Sequence, residues 1–168
     1  LREEDIPHVM NYWFRSPPGF IEAMGVDPTK LPPEAEFADG MINRCRQTSK
    51  PMTVVAIVYD GKAIGFHTLN PLIAGDYAVF HAHIWDPAMR RKGIAAHSYP
   101  KACRIFMERF NLKRILFKTP AQNTGPMRVK ERLGIRMIGE EIVNFGIIKE
   151  GTRAKVFELT REELDRLY

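Results

Sequence analysis

Two short stretches hold side chains able to do chemistry. The first is Trp85-Asp86-Pro87-Ala88-Met89-Arg90-Arg91-Lys92-Gly93-Ile94-Ala95, three adjacent cations and a Gly-x-Ala ahead of an apolar-periodic segment. A helix start leaves several backbone N–H groups without partners and carries partial positive charge. Gly93 and Ala95 keep such a turn open, so a phosphate can approach the backbone. Arg90, Arg91 and Lys92 add fixed charge. A solvated basic loop before an ordinary helix is the competing explanation. The second stretch is His81-Ala82-His83. Alternate residues of a strand share a face, which groups His81 and His83 with Val79 and Trp85. The opposite set, Phe80, Ala82 and Ile84, is apolar and should pack on a helix, which leaves the histidines lining a cleft. Histidine titrates near ~6.5, so either could act as a base near neutral pH. A structural or surface pair is the alternative. A metal would need a third ligand, such as His67, and no spacing demands one, so no metal is expected.

The elements that must position these residues are legible from periodicity. Residues 3–14 read as a helix, with Ile6, Val9, Met10, Trp13 and Phe14 on one face. Ser16-Pro17-Pro18-Gly19 ends it, and residues 20–33 are irregular. A second helix spans 33–46. Strands follow at 52–59, 63–70 and 77–85, the first two joined by an Asp60-Gly61 turn. A helix over 93–110 contains Pro100, which should kink or fray it. Residues 114–119 form a strand, 127–133 a short helix stopped by Gly134, and 136–145 and 152–159 two more strands. Thr160-Arg161-Glu162-Glu163 is a capping box that starts a last helix. The order predicts a mixed α/β fold: a central, mostly antiparallel sheet of about six to seven strands flanked by helices, with at least one β-helix-β crossover.

The 168 residues fit one domain, expected over 1–168, and suffice for a full core without disulfides. Apolar runs are too short to span a membrane. Leu1-Arg2-Glu3-Glu4-Asp5 shows no charged-then-apolar leader. Cys45 and Cys103 fall on apolar helix faces and suit a reducing cytoplasm. The charge is uneven. Residues 88–136 hold 13 Lys+Arg and 2 acidic residues, a charge of +11, although the whole chain carries +5. An anionic ligand fits that segment, and the acidic remainder is available to a cationic amine. A pI near 9.3 raises nucleic-acid binding as a possibility. The cations cluster around one helix start, however, and no nucleic-acid motif is present, so none is expected.

The strand-turn-helix motif resembles that of the GNAT superfamily of acyl-CoA-dependent N-acyltransferases. That family carries Gln/Arg-x-x-Gly-x-Gly/Ala at this junction, matched by Arg90, Gly93 and Ala95, and often an earlier proline, matched by Pro87. Asn123 ahead of a short helix, and Glu131-Arg132-Leu133-Gly134-Ile135 at its end, match the downstream pattern. The likeness covers nearly the whole chain, and the short helix without a tyrosine is closest in style to the ribosomal-protein N-terminal acetyltransferases.

The resemblance implies an acetyl-CoA-dependent N-acetyltransferase acting on a primary amine by direct attack in a ternary complex. The acceptor would be a small molecule or a protein N-terminus, and a homodimer is compatible with this. Coenzyme A would lay its pyrophosphate over Arg91, Lys92, Gly93, Ile94 and Ala95. Its pantetheine arm would add like a strand beside Ile84 and Trp85 and reach Asn123. A backbone N–H near Trp85 would hold the oxyanion, and the base that strips the ammonium's proton, directly or through water, would sit on the same strand, His83 first and His81 second. The family often has a tyrosine, as the acid for the leaving thiolate, where this chain has Lys130. That departure keeps open a non-catalytic acyl-CoA-binding or sensing module.

Overall fold

The computed structural model describes residues 1–46, 52–144 and 146–167. The far end of the strand expected over 136–145 lies outside them at Phe145. Helix α1 (Ile6–Phe14) follows a short 3₁₀ turn, and α2 covers Glu34–Arg46. Six strands follow: β1 (Val54–Tyr59), β2 (Lys62–Ile73), β3 (Tyr77–Ile84), β4 (Arg114–Pro120), β5 (Arg136–Val143) and β6 (Thr152–Thr160). Between them lie α3 (Ile94–Phe110) and α4 (Thr124–Arg132), and α5 (Arg161–Asp165) closes the order. The sheet runs β1-β2-β3-β4-β6-β5. Its one parallel pair is β3 with β4, joined by the α3 crossover, and its other pairs are antiparallel.

Each face of the sheet has its own core. Ala78 and Phe80 of β3, with Phe117 and Phe157, bury α3 through Cys103 and Phe106. On the other face Val54, Phe66 and Trp85 receive Val9 and Trp13 of α1 and Met41 of α2. The period-2 alternation of β3 therefore sorts its residues as expected. The register shift in β2 against β3 lies at Leu69/Leu72, beyond the paired residues His81, His83 and Ile84. The parity of the two histidines is undisturbed.

Three local expectations change. Helix α3 runs unbroken through Pro100, which is itself buried; packing of its apolar face outweighs one missing backbone bond. Helix α4 begins three residues earlier than expected. Pro126 then falls in its first turn, where the missing donor costs nothing. Strand β2 extends to Ile73 rather than ending at Asn70. The Thr160 capping box forms as read, with Thr160 accepting from the Glu163 N–H and Glu163 from the Thr160 N–H.

The feature that matters most for a site is where pairing stops. Strands β3 and β4 pair only at Tyr77–Arg114, Ala78–Ile115 and Val79–Leu116. Beyond that point β3 stays with β2 through Ile84 and β4 with β6 through Pro120. The sheet therefore splits in its middle. No helix among the described residues is long and apolar enough to cross a membrane.

Candidate active site

The split opens a cavity of about 350 Å³ that passes through the sheet. Trp13, Phe66, His81 and His83 line it on the α1 face, and Tyr99, Asn123, Pro126 and Lys130 on the α3 face. The strand-turn-helix junction follows directly from Ile84, the last residue of β3 on one wall of the split. Arg91 (φ 62°) and Gly93 (φ 79°) both adopt left-handed backbone conformations, which turns the chain sharply into α3. A Cβ on Gly93 would meet nothing within 4 Å, so its constraint is the backbone angle and the space beside it is open. No side chain caps α3. Its first-turn amides thus face outward without a side-chain acceptor, beside the exposed Arg91 and Lys92. Ile94 and Ala95 supply two of those amides.

Arg90 lies elsewhere. Its Nε donates to the Ile84 carbonyl at 2.9 Å and its Nη2 to the Trp85 carbonyl at 3.3 Å. Its guanidinium sits 4.3 Å from the Phe20 ring centroid. It pins the end of β3 rather than facing outward with its two neighbours. The Trp85 N–H donates to the Ile64 carbonyl at 3.0 Å, so that amide is already used. Alternation along the strand turns the Ile84 amide to the opposite edge, toward the gap. The backbone here is crowded: a Cβ on Gly65 would lie 2.2 Å from the His83 carbonyl oxygen.

The two histidines differ. His81 Nε2 lies 2.7 Å from the Asn70 carbonyl. A carbonyl only accepts, so Nε2 carries the proton and Nδ1 keeps its lone pair. Burial lowers the pKa of His81, and the Asn70 carbonyl opposes that by stabilising the imidazolium. His83 is packed against Tyr12, Trp13 and Phe66, with Nδ1 3.2 Å from Tyr12 Oη. Tyr12 Oη in turn lies 3.1 Å from Met24 Sδ. A chain from His83 Nδ1–H to Tyr12 and from Tyr12 to Met24 satisfies every donor. Burial, helped by its histidine neighbours, pushes the pKa of His83 down to about 3. His67 sits on the opposite face against Phe80 and Tyr99, its Nε2 3.0 Å from Ser98 Oγ. It cannot join His81 and His83 around one ion. Among the described residues no group of three or more His, Cys, Asp or Glu could hold a metal.

Lys130 stands where the resemblance would put a tyrosine. It is 2% exposed and lines the cavity. Asn123 starts its helix and makes no cap hydrogen bond, which leaves its amide side chain free to face the same cavity.

The charge distribution is less one-sided in space than along the chain. Arg104, Arg114, Lys118 and Arg136, all in the basic segment, meet Asp165, Glu158, Glu141 and Glu158 respectively. Among the described residues the cavity lining contains Arg44, Lys118 and Lys130 and no Asp or Glu. Part of the acidic remainder expected to receive a cationic amine is held in ion pairs, and among the described residues none of it lines the cleft.

Comparison with known proteins agrees with this geometry. The acetyltransferase (GNAT) family model matches residues 9–135, and the chain belongs to that family of acetyltransferases. A search of curated protein sequences finds no significant match. Solved structures share the fold at low identity. A GNAT-family acetyltransferase from Bacillus anthracis is 17% identical with a TM-score of 0.71, covering 96% of this chain and 92% of its own. Spermidine N-acetyltransferase from Vibrio cholerae, solved with CoA and spermine, is 16% identical with a TM-score of 0.73 (98% and 94% covered). Ribosomal-protein-S5-alanine acetyltransferase from Vibrio fischeri is 18% identical with a TM-score of 0.72 (96% and 91% covered).

Proposed function

We propose that residues 1–168 form one N-acetyltransferase domain, which passes an acetyl group from acetyl-CoA to a primary amine by direct attack in a ternary complex. The gap between β3 and β4, opening beside the uncapped start of α3, carries this reading. CoA's pyrophosphate lies on the amides of Arg91–Ala95, and Arg91 and Lys92 add charge. Arg90 contributes by holding the Ile84 and Trp85 carbonyls. The pantetheine arm follows the free edge of β3 beside Ile84 and reaches Asn123. The thioester then lies in the gap, where the Ile84 amide replaces the Trp85 amide as oxyanion donor.

We place His81 ahead of His83 as base. Its tautomer is fixed with Nδ1 free, and the Asn70 carbonyl stabilises its protonated form. His83 meets a phenol rather than a carbonyl, is held down to about 3 by burial, and shapes the acceptor wall. A weak base suits an α-amino group, which loses its proton near ~8 rather than the ~10.4 of an alkyl ammonium. The acid-free lining also disfavours acceptors with a second cation. An α-amine, of a small molecule or a protein N-terminus, therefore fits better than a polyamine.

Thermal denaturation with and without acetyl-CoA, followed by CoA-release assays on an amine panel, tests this. Acetyl-CoA should raise the melting temperature and Gly93→Glu should abolish the rise. Peptide α-amines should be turned over faster than spermine. No shift in the parent protein, or no amine-dependent CoA release, contradicts the reading.

A further inference from the structure

Lys130 is a buried cation that meets no carboxylate among the described residues. Its Nζ donates to the Pro126 carbonyl at 3.1 Å, one turn back in its own helix. Around it stand the rings of Tyr99, Phe117 and Phe157, with Nζ 5.9, 5.4 and 5.6 Å from their centroids. The charged and titratable groups facing it are few. From α3 comes the Tyr99 phenol, kept protonated by burial. From β4 come Phe117 and Thr119, neither of which titrates. From β6, Lys155 shares the Phe157 face two residues away. On α4 itself Arg128, Glu131 and Arg132 are exposed to solvent. A lysine placed purely for stability would have a carboxylate beside it, because an unpaired buried charge is costly. Aromatic faces and one carbonyl tolerate the ammonium but do not neutralise it.

We infer that Lys130 Nζ is the acid that protonates the departing thiolate of CoA, a role that rests on the acetyl-transfer reading above. The amine nitrogen attacks the thioester carbonyl carbon and forms the C–N bond. The tetrahedral adduct collapses, and the C–S bond breaks with its electron pair on sulfur. Sulfur takes a proton from Nζ and leaves as the thiol, and Lys130 becomes the neutral amine. The proton from the attacking nitrogen goes to His81 Nδ1 and then to water, and water reprotonates Lys130. The products are the amide and free CoA.

Burial supports the match of acid to base. It brings Lys130 down to about 7, against ~10.4 for a free lysine. A thiolate of pKa near ~8.5 takes a proton readily from the first and poorly from the second. The protonated form is the active one. The contribution should therefore be full below about pH 7 and fall as pH rises through it.

The test uses the full chain, with acetyl-CoA and either the best amine of the panel or hydroxylamine as a small neutral nucleophile, following thiol release. Three variants are compared. Lys130→Met removes the ammonium and fills the site with an apolar chain. Lys130→Arg keeps the charge but cannot give up its proton. Lys130→Cys, made in a Cys45→Ser background and alkylated to thialysine, restores an ammonium that is the stronger acid, because its sulfur withdraws electrons. Acetyl-CoA affinity is measured for each. Lys130→Met should lower kcat by ~10²-fold or more, keep acetyl-CoA affinity within a few fold, and lose the fall in rate at alkaline pH. Lys130→Arg should not recover kcat, whereas thialysine should, with its alkaline limb shifted to lower pH. An unchanged kcat and profile in Lys130→Met overturns the proposal. So does recovery by Lys130→Arg, which would mean that charge rather than a proton is needed. If the parent binds acetyl-CoA but releases thiol to no nucleophile, the transfer reading falls and this role falls with it.

Discussion

A few single residues set the limits of this site, and Gly65 is the sharpest. It sits on β2 opposite Ile84, and a Cβ there would fall 2.2 Å from the His83 carbonyl oxygen. That oxygen is backbone and cannot swing away, so β2 and β3 would have to part. We expect Gly65→Ala to cost ~1–3 kcal/mol, the usual penalty for overpacking. In a chain of this size that is a fall in Tm of roughly 2–4 °C per kcal/mol. Activity should fall further, because the displaced segment carries both His83 and the Ile84 amide. Calorimetry and CoA-release assays read the two effects separately, and a variant with parental Tm would contradict the crowding. At this scale the sequence revealed less than its motif suggested. The Gly93 turn and the shared face of His81 and His83 were legible, since both depend on local backbone rules. The burial of Lys130, the inward turn of Arg90 and the carbonyl partner of His81 were not, because each is set by segments distant in the chain.

Helix α4 shows how an element can give up stability for a site. Its apolar residue Met127 packs in the main core, and Lys130, one turn on, is buried with it. The sign of the effect follows from the lowered pKa. Lys130 is held below the unfolded value, so its environment stabilises the neutral form. Stability from that environment is fully present above ~10.4 and is lost as pH falls toward about 7, where the buried ammonium is unpaired. Lys130→Met should therefore unfold at a higher temperature than the parent at pH 7, by a few degrees, since apolar replacement of buried charge commonly stabilises by ~1–4 kcal/mol. The gain should shrink as pH is raised toward 10. Thermal melts across that range check it, and a destabilised Lys130→Met at neutral pH would contradict the unpaired state. The same scale explains where sequence periodicity failed. Pro100 and Pro126 are breakers by rule, yet one is overridden by the packing of α3 and the other falls in a first turn.

At the scale of the molecule, the split between β3 and β4 organises everything else. The strands, their order along the chain and the α3 crossover were readable from alternation and turn residues. The length of the β3–β4 ladder was not, because three paired residues and six look alike in sequence. The charge argument was also only half legible. Arg91 and Lys92 do flank the start of α3, but Arg104, Arg114, Lys118 and Arg136 are paired with acidic side chains, and among the described residues the cleft is left without a carboxylate. The central claim is that acetyl-CoA crosses the sheet in this gap, with its thioester between His81 and Lys130. A crystal structure of the protein with acetyl-CoA tests that most directly. The account predicts phosphates on the amides of Arg91–Ala95, pantetheine along β3, and the sulfur within hydrogen-bond reach of Lys130 Nζ. A cofactor bound outside the gap, or a sulfur turned away from Lys130, would contradict it.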